Sequence, residues 1–306
     1  MSTRFFIGLA SLALFAAAPA VEACAQDRKS ATGNAKQAQG GQSDVDSEHI
    51  FGFTEGSDIG DKGDREAEVE NFGRFGKRTG FYAATSTQFL YKYSPADHVR
   101  IAPFISFASH NIRNVPGLDN KAQWTFEGAG AELRYRLWDR EKAPLGITLS
   151  AVPVFSRVDA GSGLPVEQYG VEASALIDKE LIANRLFGAI NISYEPEVTR
   201  PRPGTEWERD STLGIGAALS AQLWSGFFAG GEARYFRKYE GSGLNSLAGD
   251  ALFVGPSVFM KLSKKWFASA AWNMQVAGHA VGEPGRLDLT NFERHEIRLR
   301  FGVDLN

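Results

Sequence analysis

Residues 213–239 read LGIGAALSAQLWSGFFAGGEARYFRKY. Every second side chain of the first half is apolar: Leu213, Ile215, Ala217, Leu219, Ala221 and Leu223. Gly214, Gly216, Ala218, Ser220 and Gln222 lie between them. After Trp224, Ser225 and Gly226 the alternation restarts, with Phe227, Ala229, Ala233 and Tyr235 on one face and Glu232 and Arg234 on the other. A period of two belongs to a strand with two unlike faces. Such strands either turn the apolar face inward, as in a water-soluble sandwich, or outward to lipid, as in a membrane barrel.

The pattern recurs to the C-terminus. Phe81, Ala83, Thr85, Thr87, Phe89 and Tyr91 share one face, opposite Ser86, Gln88 and Lys92. Ala129, Ala131, Leu133, Tyr135 and Leu137 alternate with Gly130, Glu132, Arg134 and Arg136. The last run sets Ile297, Leu299, Phe301, Val303 and Leu305 against Glu296, Arg298, Arg300 and Asp304. Eleven such runs follow one another, and residues 66–77 (EAEVENFGRFGK) add a weaker twelfth. An even count suits a single-chain bacterial barrel.

The joints alternate as well. Those near residues 94–97, 139–144, 224–225 and 263–264 are short; those near 114–123, 159–166, 199–206, 240–249 and 280–291 are longer. Short turns are expected on the periplasmic side and longer loops outside, with the short joint at 76–79 as the exception on the outer side. This topology places Tyr93, Trp138, Trp224 and Trp266 at periplasmic ends. Trp124, Tyr169, Tyr194, Trp207 and Tyr235 fall toward external ends, giving two aromatic belts.

The N-terminus points to export. Arg4 precedes an apolar stretch at residues 5–20, and Ala23-Cys24-Ala25 fits a small-residue cleavage site. Residues 1–25 read as a cleaved signal peptide; acylation of Cys24 is the alternative. Residues 26–49 are polar and rich in Gly, Ser and Gln, and read as a disordered linker. Residues 50–65 read as a periplasmic or plug segment anchored by Phe51 and Phe53, and residues 66–306 as the barrel. A net charge of −3 gives no basis for nucleic-acid binding.

The chain resembles Gram-negative outer-membrane β-barrels over residues 66–306, on its dyad strands and on the terminal strand HEIRLRFGVDLN with Phe301 inside it. Many such barrels finish on an aromatic residue. This one ends Asp304-Leu305-Asn306, so the assembly signal is shifted inward. The general shape is also similar to small substrate-channel families, including the meta-pathway phenol-degradation type; no binding residue is carried over from them. The resemblance implies the outer membrane as location. It implies outer-membrane lipid, lipopolysaccharide and the barrel-assembly machinery as partners.

Three kinds of chemistry are conceivable. Asp58, Asp61 and Asp64 recur every third residue in a Gly-rich stretch, but a calcium loop of the EF-hand kind needs alternate positions. Outer-membrane phospholipases carry His and Ser on the lipid face. Here Ser109 and His110 lie on opposite faces, and His295 near the external rim lacks an evident serine. The third lead is the polar face itself: Lys92, Arg100, Glu132, Arg134, Arg136, Glu172, Asp178, Glu232, Arg234, Lys261, Glu296, Arg298 and Arg300. Charged rings set selectivity in pores, although mixed charges can also simply cross-link a barrel interior.

The resulting expectation is an all-β, closed antiparallel transmembrane barrel of about twelve strands. It would be a passive channel for small polar solutes, without cofactor or metal, and not an enzyme. Arg134, Arg136, Arg298 and Arg300 would give it a weak preference for anions. A barrel with an occluded lumen and an outer-membrane lipid hydrolase are the alternatives. Arginine is expected to be worse tolerated at Leu219, facing lipid, than at Ser220, facing the lumen.

Overall fold

A computed structural model describes residues 45–306. The expected signal peptide (1–25) and residues 26–44 of the expected linker lie outside the described residues. The strands are β1 (Arg65–Phe75), β2 (Phe81–Ala96), β3 (Val99–Arg113) and β4 (Lys121–Trp138). They continue as β5 (Gly146–Val158), β6 (Pro165–Ile182), β7 (Leu186–Pro201) and β8 (Glu208–Trp224). The last are β9 (Phe227–Glu240), β10 (Leu247–Lys261), β11 (Trp266–Ala280) and β12 (His295–Asp304).

Each strand pairs antiparallel with its neighbours in sequence, and β1 pairs with β12 from Glu66↔Asp304 to Phe75↔His295. The sheet therefore closes, and the weak run at 66–77 is the strand that completes the ring. Closure leaves no unpaired edge, which a backbone in lipid requires.

The faces decide between sandwich and barrel. Ile215, Leu219 and Leu223 are 49%, 54% and 58% exposed, whereas Ser220 and Glu232 on the alternate face are buried. Large apolar side chains point outward on every strand from β1 to β12. A continuous apolar belt is far beyond the patches soluble monomers expose, so its solvent is lipid. Tyr93, Trp138, Trp224 and Trp266 are exposed at the barrel end where β1 starts and β12 ends; Trp124, Tyr169, Trp207 and Tyr235 are exposed at the other.

At that other end two joints fold inward. In residues 281–294, Gln275 Nε2 donates to the Asp288 carbonyl (2.9 Å), and Lys77 pairs with Glu293 (3.0 Å). In residues 159–164, Tyr82 Oη donates to the Gly161 carbonyl (2.9 Å). On the β6–β9 side, Glu172 and Glu195 face the lumen and remain exposed.

The linker boundary needs correction. Ser47, Glu48 and His49 are 0%, 4% and 2% exposed, inside the barrel. Polarity implied solvent only because the sequence does not show the charged wall that receives them.

Candidate functional site

The lumen at the terminal end is filled by the chain's own residues 45–64. Ile50 and Phe51 are buried against Phe187, Ala189, Ala218 and Phe228 of β7–β9. Burying side chains of this size favours docking by roughly 1.5 to 3 kcal/mol each. The small residues on β8 make the space: a Cβ on Gly216 would stand 3.1 Å from Thr54 Oγ1. Gly52 is equally tied to its place, since a Cβ there would lie 2.3 Å from Glu232 Oε1.

Backbone groups of the segment find partners around the wall, as buried peptide groups must. The Glu232 carboxylate accepts from Phe53 N (2.9 Å) and Thr54 N (2.8 Å). Asn191 makes a two-way bond with Glu55, accepting from its N (2.7 Å) and donating to its carbonyl (2.9 Å). Ser220 Oγ donates to the Ile50 carbonyl and Ser94 Oγ to that of Ile59, both at 2.7 Å. Arg300 donates to the Gly52 carbonyl (2.9 Å) and Arg140 to that of Val45 (2.7 Å).

Two carboxylates of the segment enter a chain of alternating charge. Lys92 meets Glu48 at 2.8 Å, and Arg100 bridges Glu48 to Glu132, the latter at 2.8 Å. Arg134 bridges Glu132 (2.7 Å) to Glu55, and Arg298 bridges Glu55 (2.6 Å) to Glu70 (2.8 Å). Burial alone would raise the Glu48 and Glu55 carboxyls; Arg100 and Lys92 around the first, Arg134 and Arg298 around the second, hold both below the usual range. His49 lies 3.5 Å from Glu66 and 3.7 Å from Glu48, stacked on Phe267. Burial and Lys92 push its imidazole down, but Glu48 and Glu66 outweigh them and raise it.

These shifts fix a pH window. Lowered carboxyls stabilise docking above their free value, about 4.3, and lose that contribution as pH falls through the folded value. The raised His49 contributes below its free value, about 6.5, and that contribution is lost as pH rises through the folded value. Asp46, whose carboxyl burial pushes up to about 6, likewise loses its contribution as pH rises, so protease cleavage of residues 45–64 in the folded barrel should be slowest near pH 4.5 to 6. It should accelerate steeply on acidification and modestly on the alkaline side; a flat profile would mean the charges do not hold the segment.

Two clusters have the composition of metal sites: Asp46, Glu48 and His49, and His49, Glu66 and Glu68. The Lys92 ammonium lies 2.8, 2.9 and 2.7 Å from Glu48, Glu66 and Glu68, so a fixed cation already serves these carboxylates. The Asp58 carboxylate accepts from Ser47 N and Arg140, while that of Asp64 accepts from Asp61 N and Asn306. The three aspartates thus do not converge on a common point.

The polar-face residues of the sequence divide into groups. Lys92, Arg100, Glu132, Arg134, Glu232, Arg298 and Arg300 touch residues 45–64 or join the chain that does. Asp178 accepts from Ser57 Oγ and pairs with Arg140. Arg234 pairs with Glu296 and covers the Phe53 ring at 3.8 Å. Arg136 donates to the Asp97 carbonyl at the rim (2.6 Å), Lys261 is exposed there, and Glu172 accepts from Ser174 Oγ (2.8 Å). Missed were Glu48, His49 and Glu55, within or beside a stretch read as linker, and Asn191 and Ser220, neutral residues with no charge to flag them. Glu66, Glu68 and Glu70 were legible as an alternating run. His295 lies against Trp272 (centroids 5.8 Å apart), and His110 bonds the Ala160 carbonyl (3.1 Å). Neither meets a serine hydroxyl among the described residues.

The fold recurs in solved structures. The COG4313 outer membrane channel from Pseudomonas putida F1 superposes with a TM-score of 0.54 at 10% identity, over 81% of this chain and 98% of that one. The NanC porin matches at 0.46 and 13% identity, over 78% of this chain and 99% of that one. The first likeness, at this identity, establishes the closed barrel fold and nothing finer. No curated protein matches in sequence. A family profile covers residues 43–305, barrel and lumen segment together, and by it the chain belongs to the family of unknown function DUF6662.

Proposed function

We propose that this protein is an outer-membrane channel for small polar solutes, held closed by its own residues 45–64. The observation that carries the reading is the polar way in which the lumen is filled. A purely structural barrel can fill its interior with apolar packing. Here the segment is held largely by ion pairs and hydrogen bonds to β2–β4, β6–β9 and β12. Such contacts can be exchanged for water, so an opened state keeps a hydrated wall. On the β6–β9 side, Glu172 and Glu195 already face water above the segment.

Ion preference follows from what the segment neutralises. Without Glu48 and Glu55, five wall cations (Lys92, Arg100, Arg134, Arg298, Arg300) face five wall carboxylates (Glu66, Glu68, Glu70, Glu132, Glu232), and the lumen has lost two negative charges. The opened constriction is thus two charges more positive than the closed one, which shifts its preference toward anions, with Glu172 and Glu195 opposing it. In the closed state those arginines are cross-links.

The test replaces residues 47–57 by a Gly/Ser stretch of equal length and compares single-channel conductance in planar bilayers. The full chain should conduct poorly and the variant several-fold better, with a reversal potential shifted toward anions. Arg298→Gln with Arg300→Gln in that background should remove the shift. A variant that migrates on gels as a folded barrel yet conducts no better would leave an occluded, non-conducting barrel.

A further inference from the structure

The outward face carries a site of its own at the loop end of β6 and β7, independent of whether the lumen conducts. The β6–β7 ladder runs from Val166↔Pro201 to Gly170↔Glu197 and resumes at Ala173↔Tyr194. Between these points stands Pro196, which has no N–H to donate. The result is a shallow groove of about 140 Å³ lined by Tyr169, Gly170, Val171, Pro196, Glu197 and Val198, with Ser242 beside them. Tyr169, Val171, Pro196 and Val198 share the face of Ile177, Ile190 and Ile192, which looks outward.

Guanidinium groups stand at the head of this groove. Arg200 follows Val198 by two residues on the same face, and Arg202 lies just beyond the strand end. Both pair with the single carboxylate of Glu167, Arg202 at 2.7 Å. Arg209 of β8 sits opposite Val198 in register. Two cations therefore share one anion, with Arg209 on the adjoining strand, and the Arg202 side chain is 59% exposed. Arg200 stacks over Trp207 at 4.9 Å, and Trp207 lies 6.1 Å from Tyr169. The arginines thus sit at the aromatic belt of this end, where headgroups begin.

We infer that this groove binds one molecule of lipid A, the phosphorylated saccharolipid of the outer leaflet. An acyl chain would lie between Tyr169, Val171, Pro196 and Val198, with a phosphate on Arg200, Arg202 and Arg209. The occupant follows from chemistry. An apolar groove opening to lipid takes a hydrocarbon chain, and unmatched guanidinium groups take a phosphate in bidentate fashion. The long-loop end of such barrels faces outward, where the leaflet offers a lipid with both features.

Native mass spectrometry of the full-length barrel, titrated with purified lipid A, tests this. One lipid A should remain bound per barrel at activation energies that strip phosphatidylglycerol. Arg200→Gln with Arg202→Gln should weaken retention roughly tenfold. Val198→Trp, which fills the groove and leaves the arginines, should weaken it comparably. Both variants should keep heat-modifiable gel migration, which certifies the fold. Equal retention of lipid A by all three proteins would overturn the site. So would wild-type retention of phosphatidylglycerol or a free fatty acid as strong as that of lipid A, because the groove would then be a generic annular contact.

Discussion

Glu48→Gln will loosen residues 45–64 without opening the barrel sheet. Glu48 is 4% exposed and pairs with Lys92, Arg100 and Arg134, the last at 3.8 Å. Removing one partner from a buried ionic cluster leaves uncompensated charge, at a cost of about 3 to 5 kcal/mol. Here the strands are held by their own ladders, so the loss falls on docking of the segment. Limited proteolysis should cut residues 45–64 far faster than in wild type, while heat-modifiable migration persists and bilayer conductance rises. Glu48→Asp, which keeps the charge, should restore most of the protection. Equal cleavage of wild type and Glu48→Gln would show that apolar contacts at Ile50 and Phe51 suffice.

Leu219→Arg should cost about 2 to 4 kcal/mol in a bilayer refolding titration, because Leu219 is in mid-strand on the outward face and 54% exposed. The matching lumen position is Ser193 and not Ser220. Ser220 also faces inward, but it is 0% exposed and bonded to the Ile50 carbonyl. Arginine there would displace the segment instead of reaching water. Ser193 is half-buried and two residues from the exposed Glu195, so Ser193→Arg should lie within about 1 kcal/mol of wild type, as an exposed ion pair permits. Equal losses for Leu219→Arg and Ser193→Arg would mean that the two faces are not lipid and lumen.

The comparison of Leu219 with Ser220 marks where sequence reading stops. Alternation assigns both faces correctly, since side chains in a strand must point to opposite sides. It says nothing about what stands in front of a face. The arginines on that face invite the same error: read along β4 and β12, Arg134 and Arg298 are free positive rungs. In space they are engaged by Glu55, which lies 79 residues from one and 243 from the other.

The sequence by itself determined the strand count, the outward and inward faces, the two aromatic belts and the alternation of joints. All of these follow from local periodicity and local turn length. Only the tertiary structure decided the register in which β1 joins β12, that residues 45–64 occupy the lumen and that Lys92 serves the carboxylates beside His49. It also decided that Tyr169 and Pro196 border one groove. These are pairings between distant segments, set by closure of the sheet and by the need of each buried charge for a partner. No window along the chain contains both partners.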